Sequence, residues 1–198
     1  MKQSVKIILL VVLLAAVLCG AYFGYRALSP KLQPEAEPSA TQQASDALTD
    51  DAADPSALPA EPAADFSVVD RDGNTVKLSE KFGKPIVLNF WASWCGPCKS
   101  ELPAFDAAAK AHADDIEFLM VNLTDGYQET QADVDAFLAE TGYTFPVYYD
   151  LTQQAAVAYG VYSIPLTVFI AADGTVVRQH TGVMSETQLS AGIDALLH

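Results

Sequence analysis

The amino-acid sequence predicts an α/β fold with a mixed central sheet flanked by helices and an N-terminal β-hairpin extension. From residue 65 onward, short apolar runs alternate with amphipathic segments of helical length, which is the pattern of strands joined through helices. The run P-I-V-L-N-F-W at 85–91 is almost wholly apolar, as expected for a strand buried on both faces of a parallel sheet. An Asp-Gly pair at 173–174 joins two strand-like runs and predicts a terminal antiparallel hairpin, which makes the sheet mixed.

The individual elements follow from local signals along residues 65–198. The N-terminal hairpin turns at Asp-Gly-Asn, 72–74. Pro103 is expected to kink the first helix because it lacks a backbone donor, and Ser185 is expected to cap the last helix. Strands are predicted at 66–69, 75–78, 85–91, 116–123, 145–149, 166–171 and 175–181, and helices at 95–112, 131–140, 152–159 and 185–197.

Composition limits the function classes. The chain has 198 residues, which suits one ordinary domain plus additional segments. Its 25 acidic and 11 basic residues give a formal net charge of −14, so we expect no nucleic-acid partner, since phosphate binding relies on clustered Lys and Arg. Three cysteines are too few for a disulfide scaffold, and three histidines scattered along the chain leave little for a metal site. We expect neither a metal nor a cofactor.

Residues 1–28 predict an N-terminal membrane anchor. The 19 residues at 7–25 carry no charge, and as a helix they reach about 28 Å, close to the thickness of a bilayer core. Lys2 and Lys6 precede this run and aromatic residues end it, which predicts a single pass with a cytoplasmic N-terminus. A cleaved signal peptide is the alternative, because it begins in the same way. Cys19, inside the run, is expected to be a small buried hydrophobe.

Residues 29–64 predict a disordered linker. This segment holds six of the eleven prolines, many alanines and acids, and no aromatic residue. Such a composition buries too little apolar surface to offset the entropy of ordering the chain. The remaining residues, 65–198, therefore form the folded domain, held at a distance from the membrane on its extracytoplasmic side.

The chemistry is concentrated in Trp94-Cys95-Gly96-Pro97-Cys98, where the buried strand gives way to a helix. A cysteine at a helix start lies near the positive end of the helix dipole, which lowers its thiol pKa and stabilises the attacking thiolate. A second cysteine one turn later is placed to attack a mixed disulfide and release the substrate. Gly96 keeps the loop accessible, and Pro97 stiffens it without loss of a needed donor.

Two other interpretations of this cysteine pair are less favourable. Half of a zinc site would need a second pair of cysteines or histidines at ligand spacing, and the chain has none. A purely structural disulfide between such close neighbours would contribute little by loop closure. Redox activity is therefore the leading interpretation.

These residues resemble the thioredoxin superfamily. The string F-W-A-S-W-C-G-P-C-K resembles its active-site signature, and S-I-P-L-T at 163–167 resembles its cis-proline loop. The anchor, the hairpin before the buried strand and the E-L-P after the motif narrow the likeness to TlpA/ResA-type tethered thiol–disulfide oxidoreductases. The resemblance spans residues 65–198 and implies a thioredoxin-like fold.

The resemblance also implies roles for residues outside the cysteine pair. Pro165 would be cis and would lay the backbone of Ile164 beside Cys95, where a substrate strand binds. Trp94 would flank that groove. Glu101, one helical turn after Cys98, would serve the proton transfers of the pair. Thioredoxins carry a buried aspartate on the preceding strand, but here that position is Asn89, which cannot titrate, so Glu101 is expected to replace it.

The Gly-Pro dipeptide between the cysteines is that of reducing members of the superfamily. We therefore expect a monomeric reductant of disulfides in exported proteins, such as apocytochrome c or other envelope proteins. The resemblance implies that a CcdA- or DsbD-like membrane protein would supply its electrons. A disulfide-forming oxidase would share the same residues, and a non-catalytic peptide-binding module remains a second alternative. A peroxidase fits less well, because its single peroxidatic thiol does not match the paired cysteines.

Overall fold

The computed structural model of the protein describes residues 61–198. The predicted anchor, Cys19 and all but the last residues of the predicted linker lie outside these residues. The strands are β1 (Glu61–Pro62), β2 (Ser67–Asp70), β3 (Thr75–Lys77), β4 (Ile86–Trp91), β5 (Glu117–Asn122), β6 (Val147–Tyr149), β7 (Leu166–Ile170) and β8 (Thr175–Thr181). The helices are α1 (Gly96–Ala111), α2 (Gln131–Thr141), α3 (Gln154–Ala158) and α4 (Glu186–Leu197), with a 3-10 turn at Leu78–Lys81. Within residues 61–198, no helix combines the length and apolar character needed to cross a membrane.

The eight strands of residues 61–198 form one mixed sheet in the order β1-β8-β7-β4-β5-β6-β2-β3. The pairs β4–β5 and β5–β6 are parallel, and the other neighbours are antiparallel. Every residue of β4 is buried, as expected of a central strand covered on both faces. The mixed sheet and the N-terminal hairpin, which joins the sheet through β6, are therefore confirmed.

Two apolar cores lie on the two faces of the sheet. One contains Val87 and Trp91 of β4 together with buried residues of α1, α2 and α4. The other contains Ile86, Leu88 and Phe90 of the same strand together with the N-terminal hairpin and α3. The alternation along β4 divides its side chains between the cores, because successive strand residues point to opposite faces.

Helix α4 packs closely on β7 through Gly192. A Cβ atom at this position would lie 2.3 Å from Cζ of Phe169, so only glycine allows the observed approach. The helix begins with the predicted Ser185 cap, whose hydroxyl accepts from the Gln188 N–H. The position of α4 fixes Met184, just before the cap, against the first helix.

Three elements differ from the sequence prediction. Glu61–Pro62, assigned above to the linker, pairs with β8; both side chains are exposed, so this strand depends on backbone pairing at a sheet edge, where proline is tolerated. Helix α1 is not interrupted at Pro103, and Leu102 and Phe105 pack in the core on either side; the kink expected there stays a prediction. Residues 145–146 precede β6 because Pro146 has no N–H to donate to a neighbouring strand.

Candidate active site

Cys95 is the N-cap residue of α1, directly after the turn that follows β4. Its Sγ accepts a hydrogen bond from the Cys98 backbone N–H at 3.1 Å, and its carbonyl accepts from the Lys99 N–H at 3.0 Å. Pro97 occupies the first turn, where a missing donor costs nothing. A thiolate at Cys95 would be stabilised by this N–H and by the positive end of the helix dipole.

The two cysteines form a disulfide, Cys95–Cys98. Cys98 is completely buried, whereas Cys95 retains a small exposed area at the surface. Gly96 and Pro97 are exposed, and Trp94 is 48% exposed although it is a large aromatic residue. The sulfur within reach of a partner is therefore that of Cys95.

The loop before β7 lies against the cysteine pair. Its Ile164–Pro165 bond is cis, the isomer that the resemblance implies. The Ile164 carbonyl oxygen lies 3.9 Å from Cys95 Sγ, and the Pro165 carbonyl accepts from the Gly182 N–H at 2.8 Å. The second contact ties this loop to the end of β8. A polypeptide attached at Cys95 would lie beside the Ile164 backbone.

Glu101 is buried on α1, one turn after Cys98, with 2% of its surface exposed. Its Oε2 accepts from the Met184 N–H at 2.7 Å, and its Oε1 accepts from Asn89 Nδ2 at 2.9 Å. Burial raises the pKa of Glu101 above its ordinary value, and these two hydrogen bonds offset only part of the rise. The side chain is therefore suited to exchange a proton nearer neutral pH than an exposed glutamate.

Asn89 connects Glu101 to the centre of the sheet. Its Nδ2 also donates to Thr167 Oγ1 of β7 at 3.0 Å, whereas its buried Oδ1 has no hydrogen-bond partner. An unpaired buried acceptor is costly, but it would be satisfied if the amide turned and Glu101 became a protonated donor. Asn89 is an amide and does not titrate. Its side chain can nevertheless respond to the protonation state of Glu101 by turning.

The residues predicted from the sequence come together at one edge of the sheet. The cysteine loop follows β4, the cis-proline loop precedes β7, and these two strands pair with Phe90 opposite Leu166. Glu101 contacts Asn89 of β4 and the segment after β8. Among residues 61–198, no three His, Cys, Asp or Glu side chains form a group that could hold a metal ion.

Glu129 is a site residue that the sequence did not predict. It is almost completely buried, and its two carboxylate oxygens accept from the Ser93 N–H at 3.1 and 3.2 Å and from the Ser93 hydroxyl at 3.1 Å. Asn122 donates to it at 3.4 Å. Glu129 thus holds Ser93, which lies two residues before Cys95 in the cysteine loop. In the sequence, Glu129 is one acidic residue in a polar loop. No periodic pattern there distinguishes a buried glutamate from a solvent-exposed one.

Sequence comparisons show that the chain is similar to known thioredoxin-like proteins. Residues 59–179 match the family model described as the AhpC/TSA family. The thioredoxin-like protein YneN of Bacillus subtilis is 33% identical over 134 residues, which cover 68% of this chain and 78% of that protein. The thiol-disulfide oxidoreductase ResA of the same organism is 35% identical over 128 residues, covering 64% of this chain and 69% of ResA.

A solved structure extends the likeness to the fold. The exposed lipoprotein thioredoxin Etrx1 of Streptococcus pneumoniae superposes with a TM-score of 0.60 at 35% identity, over 67% of this chain and 100% of that one. The α/β fold is therefore thioredoxin-like, and the paired cysteines identify an enzyme of thiol–disulfide exchange. The chain belongs to the AhpC/TSA family and, within the thioredoxin superfamily, to the TlpA/ResA-like thiol–disulfide oxidoreductases.

Proposed function

We propose that this oxidoreductase reduces disulfide bonds in exported proteins. The Cys95 thiolate attacks one sulfur of the substrate disulfide, which forms a mixed disulfide and releases the other substrate sulfur as a thiolate. Cys98 then loses its proton and attacks Cys95 Sγ, which releases the second substrate sulfur. Two electrons pass to the substrate, whose two thiolates take up the proton lost by Cys98 and one proton from solvent to give a dithiol, and the pair becomes the Cys95–Cys98 disulfide.

The observation that carries this proposal is the position of Cys95 Sγ. It accepts from the Cys98 N–H at the start of α1 and lies 3.9 Å from the Ile164 carbonyl oxygen. The hydrogen bond from the Cys98 N–H favours the thiolate form of Cys95. The nearby Ile164 carbonyl places a bound substrate next to a polar backbone group. Trp94 flanks the same position.

Glu101 is proposed as the proton acceptor for Cys98. It lies one turn after Cys98 on the same helix, and its raised pKa suits it to take a proton from a thiol and return it. Asn89 and the Met184 N–H hold the carboxylate in place on two sides. The role of Asn89 is to position Glu101, since an amide cannot accept the proton.

A reductant outside the cytoplasm needs an electron supply. We propose that residues 1–28 anchor the chain in the cell membrane, with the N-terminus cytoplasmic and residues 65–198 extracytoplasmic. A CcdA- or DsbD-like membrane thiol carrier would then reduce the Cys95–Cys98 disulfide of the monomeric domain. The Gly-Pro dipeptide supports the reducing direction. Immunoblots of membrane and soluble fractions test the anchor, and a shorter soluble form would contradict it.

The direction of electron flow is tested by the reduction potential of the full-length chain in thiol–disulfide redox buffers. We expect a value closer to that of thioredoxin, about −270 mV, than to that of strong oxidants, about −120 mV. A value well above about −200 mV would favour the disulfide-forming oxidase instead.

Single variants of the cysteine pair test the catalytic role itself. Cys95→Ser should abolish reduction of a protein disulfide, and Cys98→Ala should accumulate mixed disulfides with the substrates. The trapped partners, identified by mass spectrometry, should be exported proteins. Full function of Cys95→Ser and Cys98→Ser in cells would instead favour a non-catalytic peptide-binding module.

A further inference from the structure

Asp150 is a buried carboxylate that lies outside both the cysteine loop and the cis-proline loop. It directly follows β6 and is completely buried. Its Oδ2 accepts from the Ala156 N–H of α3 at 2.9 Å, whereas its Oδ1 has no hydrogen-bond partner among the described residues. A carboxylate oxygen that is buried without a partner costs stability, so an acid at this position is a poor choice for packing alone.

Helix α3 depends on this carboxylate at its N-terminal end. The helix has five residues, Gln154–Ala158, and a helix this short is marginal by itself. Its N-cap residue, Gln153, makes no capping hydrogen bond through its side chain and has a left-handed φ of 57°, which is unfavourable for a residue with a Cβ atom. The Asp150 carboxylate supplies the acceptor that Gln153 does not, and it thereby holds the start of α3.

One residue of α3 connects Asp150 to the cis-proline loop. The Ala156 N–H donates to Asp150 Oδ2, and the Ala156 carbonyl accepts from the Val161 N–H at 2.8 Å. Val161 lies three residues before Ile164, whose carbonyl oxygen is 3.9 Å from Cys95 Sγ. Two hydrogen bonds and a short piece of chain therefore link the Asp150 carboxylate to the backbone beside the reactive sulfur.

The other end of α3 is fixed on the sheet by Tyr159. The centroid of its ring lies 5.7 Å from that of Phe66 and 5.6 Å from that of Phe90. Phe90 lies in β4 opposite Leu166, the residue after the cis-proline. Because Tyr159 stays in place, release of the start of α3 would let the helix turn about this contact and carry Val161 with it.

We propose that Asp150 is a positioning residue for thiol–disulfide exchange. Its carboxylate holds α3, and through this helix it sets the position of the Ile164 backbone beside Cys95. Among the described residues, Asp150 makes no hydrogen bond to the cysteine pair or to Glu101, so it acts through α3. This role belongs to the exchange reaction itself and is the same for reduction and for oxidation of a substrate.

Two kinds of disulfide should respond differently to the loss of this carboxylate. A polypeptide attached at Cys95 lies beside the Ile164 backbone, so displacement of the cis-proline loop weakens its binding. A small disulfide such as dithiodipyridine needs the Cys95 thiolate and has no chain to place beside Ile164. Loss of the Asp150 carboxylate should therefore raise KM for a protein disulfide and leave the reaction with dithiodipyridine nearly unchanged.

The experiment uses the reduced full-length chain in phospholipid nanodiscs, with insulin as the protein disulfide and dithiodipyridine as the small one. Asp150→Ala removes the acceptor, whereas Asp150→Asn keeps an oxygen for the Ala156 N–H. Asparagine also resembles the protonated acid, which is favoured because burial raises the pKa of Asp150. Asp106→Ala is the matched control, because it removes a buried acceptor from the N–H groups of Thr144 and Phe145 instead of from α3.

We expect Asp150→Ala to lower kcat/KM for insulin about tenfold, mainly through KM, because a small displacement of a positioning group is costly. Asp150→Asn should recover most of this loss, and Asp106→Ala should match the unaltered protein with both substrates. Hydrogen exchange reports on the path itself. The Val161 amide proton should exchange faster in Asp150→Ala than in Asp106→Ala, because the Ala156 carbonyl that holds it is released.

Three results would overturn the proposal. Equal losses with insulin and dithiodipyridine would place the damage at the cysteine pair, and an equal loss in Asp106→Ala would make the effect one of stability alone. An Asp150→Asn variant as impaired as Asp150→Ala would show that the charge matters and the acceptor does not. If Asp150→Ala does not fold, Asp150→Ser replaces it with the same expectations, because the shorter serine hydroxyl does not reach the Ala156 N–H.

Discussion

Helix α1 carries two buried carboxylates in contrasting surroundings, Glu101 and Asp106. Each accepts a backbone N–H from a segment outside the helix: Glu101 from Met184, and Asp106 from Thr144 at 2.7 Å and Phe145 at 3.2 Å. Asp106 also pairs with Lys110, one turn further along the helix. Among the described residues, the side chain that hydrogen-bonds to Glu101 is the neutral amide of Asn89.

This difference reverses the effect of burial on the two groups. Burial alone would raise the pKa of Asp106, but the contacts with Lys110 and the two backbone N–H groups outweigh it and hold the pKa below its ordinary value. For Glu101, burial prevails and the pKa is raised. A buried carboxylate with a cation beside it therefore serves as a fixed connection, whereas one held only by neutral donors is available for proton exchange.

Among changes to the buried carboxylates, Glu101→Gln should have the largest effect. General acid–base catalysis contributes at least about 10²-fold, so we expect protein-disulfide reduction at neutral pH to slow by about a hundredfold and to lose one inflection in its pH–rate profile. Stopped-flow fluorescence of the tryptophans checks this, with Asp106→Asn as the matched carboxylate-to-amide control on the same helix. An unchanged profile in Glu101→Gln would remove Glu101 from the mechanism.

Asp106→Ala should instead act on stability. It leaves the Thr144 and Phe145 N–H groups without their acceptor, so we expect the free energy of unfolding to fall by about 2 kcal/mol. The pH dependence of disulfide reduction should stay the same. Urea unfolding of the variant measures the first effect, and a loss below about 0.5 kcal/mol would mean that Asp106 is an ordinary surface acid.

The two carboxylates should give stability opposite dependences on pH. Between the ordinary and the raised pKa, folded Glu101 keeps a proton that the unfolded chain loses, so its contribution to stability falls as pH rises through this window. Asp106 contributes stability above its ordinary pKa, and that contribution is lost as pH falls through its lowered pKa. Unfolding free energies of Glu101→Gln and Asp106→Asn, each subtracted from the unaltered protein across acidic to neutral pH, should show these two slopes. Slopes of the same sign for the two variants would contradict the difference assigned to the two carboxylates.

Glu129→Gln should give the smallest effect. The amide keeps one oxygen to accept from Ser93 but loses the charge that strengthens both contacts, so the cysteine loop is held less firmly. We expect disulfide reduction to slow about threefold, or about 0.7 kcal/mol, without a change in the shape of the pH profile. A shifted pH profile would show that Glu129 shares the proton-transfer role assigned to Glu101.

Most of the fold and the centre of the site could be predicted from the sequence. The Cys95–Cys98 pair and the Pro165 loop carry short-range motifs, and the apolar run of β4 identifies the central strand. Glu61–Pro62 could not be predicted, because its pairing with β8 uses only backbone groups and leaves no apolar pattern.

The contacts around Glu101 and Cys95 depend on tertiary structure. Asn89 and Met184 are 12 and 83 residues from Glu101, and no local pattern brings them together. Glu129 and Ser93 are likewise 36 residues apart.

The pKa of Glu101 in the two redox states tests the central claim most directly. The side-chain carboxyl carbon of Glu101, assigned by its loss in Glu101→Gln, can be titrated by NMR in the oxidised and the reduced full-length chain. We predict a pKa above that of an ordinary glutamate in the oxidised protein and a different pKa after reduction, because proton exchange with Cys98 couples the two groups. An ordinary pKa that is the same in both states would contradict the account.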